Sequence, residues 1–275
     1  MPRFDPSPDR RPAIVAGASS GIGAATAQEL ARRGFPVALG ARRTEKLAGL
    51  VAAIRDDGGE AVAFHLDVVD ADSVTSFVQQ SIDALGDIEL LVSGAGDMNP
   101  GRIHETSPEA FNSQIQVHLI GANRLAAAVL PHMVARQRGD VIFIGSDVAL
   151  RQRPHMGAYG AAKAGLVAMV HNLRMELEGT GVRASIVHPG PTFTEMGWGL
   201  SAEQVGPMLA DWSTWGQARH NYFLRAQDLA RAIAFVAETP RGAHIVDLEV
   251  QPEAPLRSTA AERHMLRIDD EKMPS

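Results

Sequence analysis

The 275-residue sequence contains no cysteine, which excludes disulfides, thiolate zinc sites and cysteine nucleophiles and fits a reducing compartment. It has no run approaching the ~18 consecutive apolar residues that a membrane span needs, so no membrane partner is expected. The amino-terminal stretch MPRFDPSPDRRP is polar and proline-rich and lacks the apolar centre of a signal peptide. Together these absences lead to the expectation of a cytoplasmic protein. A block of like charge is also missing: the formal charge is −6 and the basic residues are dispersed, so nothing marks a nucleic-acid partner. No shift in composition marks a second domain, and a chain that is 45% hydrophobic can bury one full core.

What the sequence does hold is alternation. Residues 1–12 read as a flexible arm and 253–275 as a polar tail, and between them short apolar runs alternate with longer helical patterns. Strands are expected at 13–16, 36–40, 61–66, 88–93, 140–145, 183–188 and 244–250. Helices are expected at 22–33, 44–57, 71–85, 108–137, 158–179 and 226–238. Such regular alternation implies an α/β fold, a doubly wound parallel sheet of about seven strands with helices on both faces. Ligands of these sheets bind beyond the carboxyl ends of the strands.

Several motifs fall at those ends. The first strand runs into Gly17-Ala18-Ser19-Ser20-Gly21-Ile22-Gly23 and a helix follows at once. Glycines there let the chain turn tightly and let a pyrophosphate approach the helix amino terminus, where free N–H groups favour negative charge. No Gly-Lys-Ser/Thr follows, which argues against a nucleoside-triphosphate loop. The second strand ends in Ala41-Arg42-Arg43, without the carboxylate that would hold the ribose 2′-hydroxyl of NAD. Arginine suits a 2′-phosphate, so NADP is expected ahead of NAD, although two solvated arginines opening a helix would read the same way. Asp67-Val68 and Ser93-Gly94-Ala95-Gly96 close the third and fourth strands. Asp67 fits a helix cap near Asp70 equally well, and residues 93–96 fit a plain tight turn.

The fifth strand leads to Ser146, and Tyr159 and Lys163 follow at helical spacing, four residues apart on one face. A phenol has an unperturbed pKa of about 10, which a neighbouring ammonium would lower. Tyr159 is thus a candidate acid/base, with Ser146 placed to hydrogen-bond a substrate oxygen.

In this order the motifs resemble the short-chain dehydrogenase/reductase family, in the branch of about this length. The resemblance covers residues 13–252 and includes Pro189-Gly190 followed by Thr194. It implies a Rossmann-type domain that transfers a hydride between nicotinamide and a carbonyl or secondary alcohol. By the same resemblance Tyr159 is the acid/base, Ser146 orients the substrate, and Lys163 holds the cofactor ribose and lowers the tyrosine's pKa. Pro189 and Gly190 would shape the nicotinamide pocket, with Thr192 and Thr194 facing the carboxamide.

Three positions depart from the family pattern: Ala16 for a threonine, Ser93-Gly94 for Asn-Asn, and His118 for the asparagine that bends a helix and holds a relay water. His118 either replaces that asparagine in a pH-sensitive relay, fills its space, or breaks the relay. Residues 191–222 lie where the family places its substrate loop and carry Met196, Trp198, Met208, Leu209, Trp212 and Trp215, which suits a bulky apolar substrate, while core packing of a short helix accounts for about half of these side chains equally well. His155 is expected either to border that pocket or to be a surface or structural residue. The two long helices carry small residues compatible with pairing into a homodimer or homotetramer. The expectation is an NADP(H)-dependent oxidoreductase without a metal. The alternatives are the same chemistry with NAD, or a weakly catalytic dinucleotide-binding sensor or structural subunit.

Overall fold

The structure is a computed structural model that describes residues 6–196, 200–218 and 220–256. Its first half comprises β1 Ala13–Ala16, α1 Gly21–Arg32, β2 Val37–Ala41, α2 Thr44–Asp56, β3 Ala61–His65, α3 Ala71–Leu85, β4 Leu90–Ser93, α4 Pro108–Ile115, a π-helical turn Gln116–Ile120 and α5 Gly121–Ala135. The second half comprises β5 Gly139–Ile144, α6 Gly157–Glu176, β6 Val182–Pro189, β7 Thr192–Phe193, α7 Ala202–Thr214, β8 Leu224–Arg225, α8 Ala226–Ala237 and β9 Asp247–Val250.

Seven strands form one parallel sheet in the order β3-β2-β1-β4-β5-β6-β9, and β7 pairs with β8 in a separate ribbon. The expected Rossmann-type doubly wound sheet is therefore present. Alternation along each strand divides the core. In β1, Ala13 and Val15 join the cluster under α1, α2 and α8, while Ile14 and Ala16 join the one under α3, α5 and α6. Phe77 and Leu30, both fully buried, anchor opposite faces, and each such side chain contributes about 1.5–3 kcal/mol. The strand order reverses between β1 and β4, which opens a crevice at their carboxyl ends.

Three expectations change. The single helix expected at 108–137 is interrupted by the π turn Gln116–Ile120, after which Gly121 backs onto Val68 so closely that a Cβ would lie 2.7 Å from its Cγ2. Residues 191–222 contain a full helix, α7, whose start is marked by the Ser201 N–H donating to Gln204 Oε1 at 3.0 Å. Residues 10–12, counted with the arm on sequence grounds, are held. Arg11 is buried, and the Pro12 carbonyl accepts from the Glu89 N–H at 2.8 Å. No described helix is long and apolar enough to cross a membrane.

Candidate active site

Ser146 follows β5 and opens a short 3-10 turn, Asp147–Ala149, where its hydroxyl accepts from the Val148 N–H at 3.2 Å. This fixes the Oγ towards Tyr159 on the first turns of α6. Lys163, one turn further, donates to the Ile144 carbonyl at 2.7 Å, and its ammonium lies 5.7 Å from the centre of the tyrosine ring. Ser146, Tyr159 and Lys163 are all buried. The structure thus brings the three together at the carboxyl ends of the strands.

Burial dominates their electrostatics. It pushes the Tyr159 phenol up to about 12; the Ser146 hydroxyl opposes the rise and the nearby Asp147 carboxylate adds to it. It also pushes Lys163 down to about 7. The lowered tyrosine expected from the neighbouring ammonium is therefore not seen. Desolvation is the largest cause of the shift of each group and sets its direction.

His118 lies in the π turn, edge-on to Tyr159, with ring centroids 5.0 Å apart. Its Nε2 is 2.7 Å from the Asp97 carbonyl, an acceptor only, so Nε2 carries the proton. That leaves Nδ1 a bare lone pair, buried and without a hydrogen-bond partner. Burial, reinforced by the Lys163 charge, pushes the imidazole down to about 3, against the pull of the Asp97 carbonyl. A titration near neutral pH, one of the sequence expectations, does not fit this environment. The ring also explains Gly96, where a Cβ would lie 2.3 Å from His118 Cε1.

On the other side of the crevice, Gly17 has φ +83° and lies against residues 94 and 95, with a Cβ position 2.7 Å from the Gly94 carbonyl oxygen. Ser20 is the N-cap of α1 but makes no capping hydrogen bond with its side chain, and no acidic residue occupies the first turn. Ile22 packs into the core and Gly23 backs onto the Gly17 carbonyl. Arg43 folds over this turn, donating from Nη2 to Ser19 Oγ at 3.0 Å and Ser20 Oγ at 2.9 Å. Arg42 is exposed, with no side-chain hydrogen bond or ion pair to the described residues. The alternative reading of Asp67 is settled by Asp70, which caps α3, while Asp67 Oδ1 accepts from the Val69 N–H inside its own turn. Val68 is buried, and Ser93, Gly94 and Ala95 line the crevice after β4.

Pro189 ends β6, and the Gly190 N–H donates to the Val250 carbonyl at 2.8 Å. The Thr192 hydroxyl is turned back to the Gly190 carbonyl at 2.8 Å. Thr194 reaches across the crevice, 3.2 Å from where a Gly21 Cβ would be. The glycine turn and the substrate loop thus meet.

Beyond them α7 roofs the tyrosine. Val148, Met156, Tyr159 and Met208 form one buried cluster, with Met98, Val205 and Trp212 packed against it. Met196, Leu209 and Trp215 face outward, and Trp198 lies outside the described residues. His155 does not face an open pocket. Its φ is +65°, and Nε2 pairs with Asp211 Oδ2 on α7 at 2.8 Å, where Arg102 joins at 2.9 Å. Those two partners hold the Asp211 carboxyl below its usual range. The sequence reading missed Asp97, Lys46, Glu195 and Asp211, since none belongs to a motif. Only Glu195, next to Thr194, had a positional clue. Among the described residues no group of three His, Asp or Glu could hold a metal ion.

Comparison with known proteins agrees with this geometry. The family described as short chain dehydrogenase matches residues 11–205. The chain is 33% identical over 241 residues to glycine betaine reductase ATRR of Emericella nidulans, covering 87% of this chain but 18% of that longer protein. It is 34% identical over 194 residues to 2,3-dihydro-2,3-dihydroxybenzoate dehydrogenase of Bacillus subtilis, covering 70% of this chain and 74% of that one. An alcohol dehydrogenase of Thermococcus sibiricus, solved with 5-hydroxy-NADP, superposes with a TM-score of 0.76 at 29% identity, covering 90% of this chain and 100% of that one. With the sheet, the crevice and the Ser146–Tyr159–Lys163 grouping in place, the chain belongs to the short-chain dehydrogenase family of oxidoreductases.

Proposed function

We propose that the protein is an NADP(H)-dependent oxidoreductase that interconverts a carbonyl and a secondary alcohol on a bulky apolar substrate. The observation that carries this reading is the burial of Ser146, Tyr159 and Lys163 together at the sheet edge faced by the glycine turn. The residues around the crevice fit a dinucleotide. The uncapped first turn of α1 suits a pyrophosphate, and Arg43 over Ser19 and Ser20, with no carboxylate ending β2, suits a 2′-phosphate. The NADP analogue in the Thermococcus enzyme points the same way.

The nicotinamide would supply the hydride to the carbonyl carbon, or take it from the carbinol. The rest falls to the chain's own residues. Ser146 donates a hydrogen bond to the substrate oxygen. Tyr159, a phenol at neutral pH, gives its proton to that oxygen in reduction and recovers it in oxidation. Lys163 would hold the cofactor ribose, and the His118 Nδ1, which has no partner of its own, would accept from a relay water. The Met208 and Trp212 side of α7 keeps bulk water from the phenol.

Pairing into a homodimer or homotetramer through α5 and α6 belongs to the same proposal, supported by exposed Val134 and Met175 on those helices. Sedimentation would test it.

Fluorescence titration of wild type, Arg42→Ala and Arg43→Ala with NADPH and NADH tests the cofactor, and a carbonyl panel tests turnover. NADPH should bind more tightly, and Arg43→Ala should remove most of that preference. Equal binding of NADH refutes the 2′-phosphate assignment, and binding without turnover on any substrate favours a sensor.

A further inference from the structure

Arg43 has two sides in use. Nη2 holds Ser19 and Ser20 of the glycine turn, while Nη1 donates to Glu195 Oε2 at 3.2 Å. Lys46, one turn along α2, grips the same carboxylate, with Nζ 3.0 Å from Oε1 and 2.8 Å from Oε2. Glu195 thereby ties the substrate loop to α2, across 149 residues of sequence from Lys46 and 152 from Arg43. The Lys46 and Arg43 hydrogen bonds hold its carboxyl below the usual carboxylate range, so it is an anion throughout the neutral range.

The carboxylate therefore sits on the cations that a 2′-phosphate at this end of the crevice would use. We propose that Glu195 is a specificity-determining residue: it competes with the cofactor's 2′-phosphate for Arg43 and Lys46 and so sets the margin by which NADPH is preferred over NADH. The proposal rests on the cofactor reading above and deepens it. Two anions sharing one guanidinium and one ammonium repel each other, so phosphate binding must loosen Glu195. NADH, with a neutral hydroxyl in the same place, makes no claim on the pair and leaves it closed.

An exposed ion pair is worth little as a source of stability, and the members of this one are 33% to 45% exposed. Its position gives it a role that its strength does not. The preceding residue, Thr194, lies against Gly21, so displacing Glu195 pulls on the segment that crosses the glycine turn.

The test is titration of wild type, Glu195→Gln, Arg43→Ala and the double variant with NADPH and with NADH, each checked for an intact thermal melt. Glu195→Gln should tighten NADPH binding about three- to fivefold and leave NADH unchanged. The gap between Glu195→Gln and wild type should narrow in about 0.5 M salt. In the Arg43→Ala background most of the gain should vanish, the signature of coupled residues. Unchanged or weaker NADPH binding in Glu195→Gln, or equal tightening of both nucleotides, overturns the competition. If Arg43→Ala abolishes the NADPH preference while Glu195→Gln does nothing, the competition fails and the cofactor reading stands. If Arg43→Ala leaves the preference intact, it is the cofactor reading that fails.

Discussion

The two ends of the sheet carry buried charge in opposite ways. At the amino ends, Asp140 in β5 takes Arg11 on one oxygen and Arg183 on the other, each at 2.6 Å, and Glu89 before β4 takes Arg138 at 2.9 Å. At the carboxyl ends, Lys163 has no carboxylate partner among the described residues, and His118 keeps an unpartnered nitrogen. Charge at the amino ends is compensated and ties β1, β4, β5 and β6 together. At the carboxyl ends Asp147 is paired with Arg153, but the Lys163 ammonium and the His118 Nδ1 are left without such partners, which costs stability at those two groups.

The comparison predicts that variants at the two ends fail differently. Tyr159→Phe removes one hydroxyl and should lower kcat/KM about 10³-fold, roughly 4 kcal/mol of barrier, with the thermal midpoint unchanged. Steady-state kinetics beside a melting curve shows both, and a residual rate within tenfold of wild type removes Tyr159 as the acid/base. Asp140→Asn should do the reverse. It strands Arg11 and Arg183 without a counter-charge, at a cost of about 3 kcal/mol and a midpoint about 5–10 °C lower. Nucleotide affinity measured well below the transition should stay the same, and a drop in affinity equal to the drop in stability would deny the separation of the two ends.

These two ends were not equally legible in the sequence. The active-site end was, because its residues come from turns whose spacing is set by local geometry. Gly17 to Gly23, Ser146 and Tyr159-x-x-x-Lys163 each sit at a fixed offset from a strand or on one helix face. The amino end was opaque, since Arg11, Asp140 and Arg183 are separated by 129 and 43 residues and nothing local marks their pairing. The π turn was hidden for a different reason: apolar periodicity does not register one extra residue in a turn. Helix α7 did have a signal in Ser201 and Gln204, masked by the aromatic content of the stretch around it. The direction of the Tyr159 shift could not be read because it depends on burial, which spacing does not report.

Lys163 sharpens the contrast, since removing a charge here should stabilise. Its pKa is about 7 when folded against 10.5 for a free lysine, so between those values the unfolded chain binds more protons and stability rises with pH. The burial penalty is full below pH 7 and gone above 10.5. Lys163→Met should therefore be more stable than wild type at pH 7, by about 1–3 kcal/mol, and should lack the rise between pH 7 and 9.5. Urea unfolding at both pH values reads this directly. A variant less stable than wild type at pH 7 would mean that the bond to Ile144 outweighs the burial of the charge.

The smallest effect concerns His118 and separates its structural role from the catalytic one proposed for it. Folded, it titrates near 3 rather than 6.5, so the unfolded chain binds the extra proton as pH falls through 6.5 and stability drops towards pH 3. His118→Asn removes that proton and should lose less stability between pH 7 and 4.5. Because the imidazole is already neutral throughout pH 5–8, the same substitution should scale kcat/KM without changing the shape of its pH profile in that range. A wild-type inflection near 6.5 that disappears in His118→Asn would show the ring titrating in the free enzyme, and would replace the neutral acceptor proposed beside Tyr159 with a titrating group.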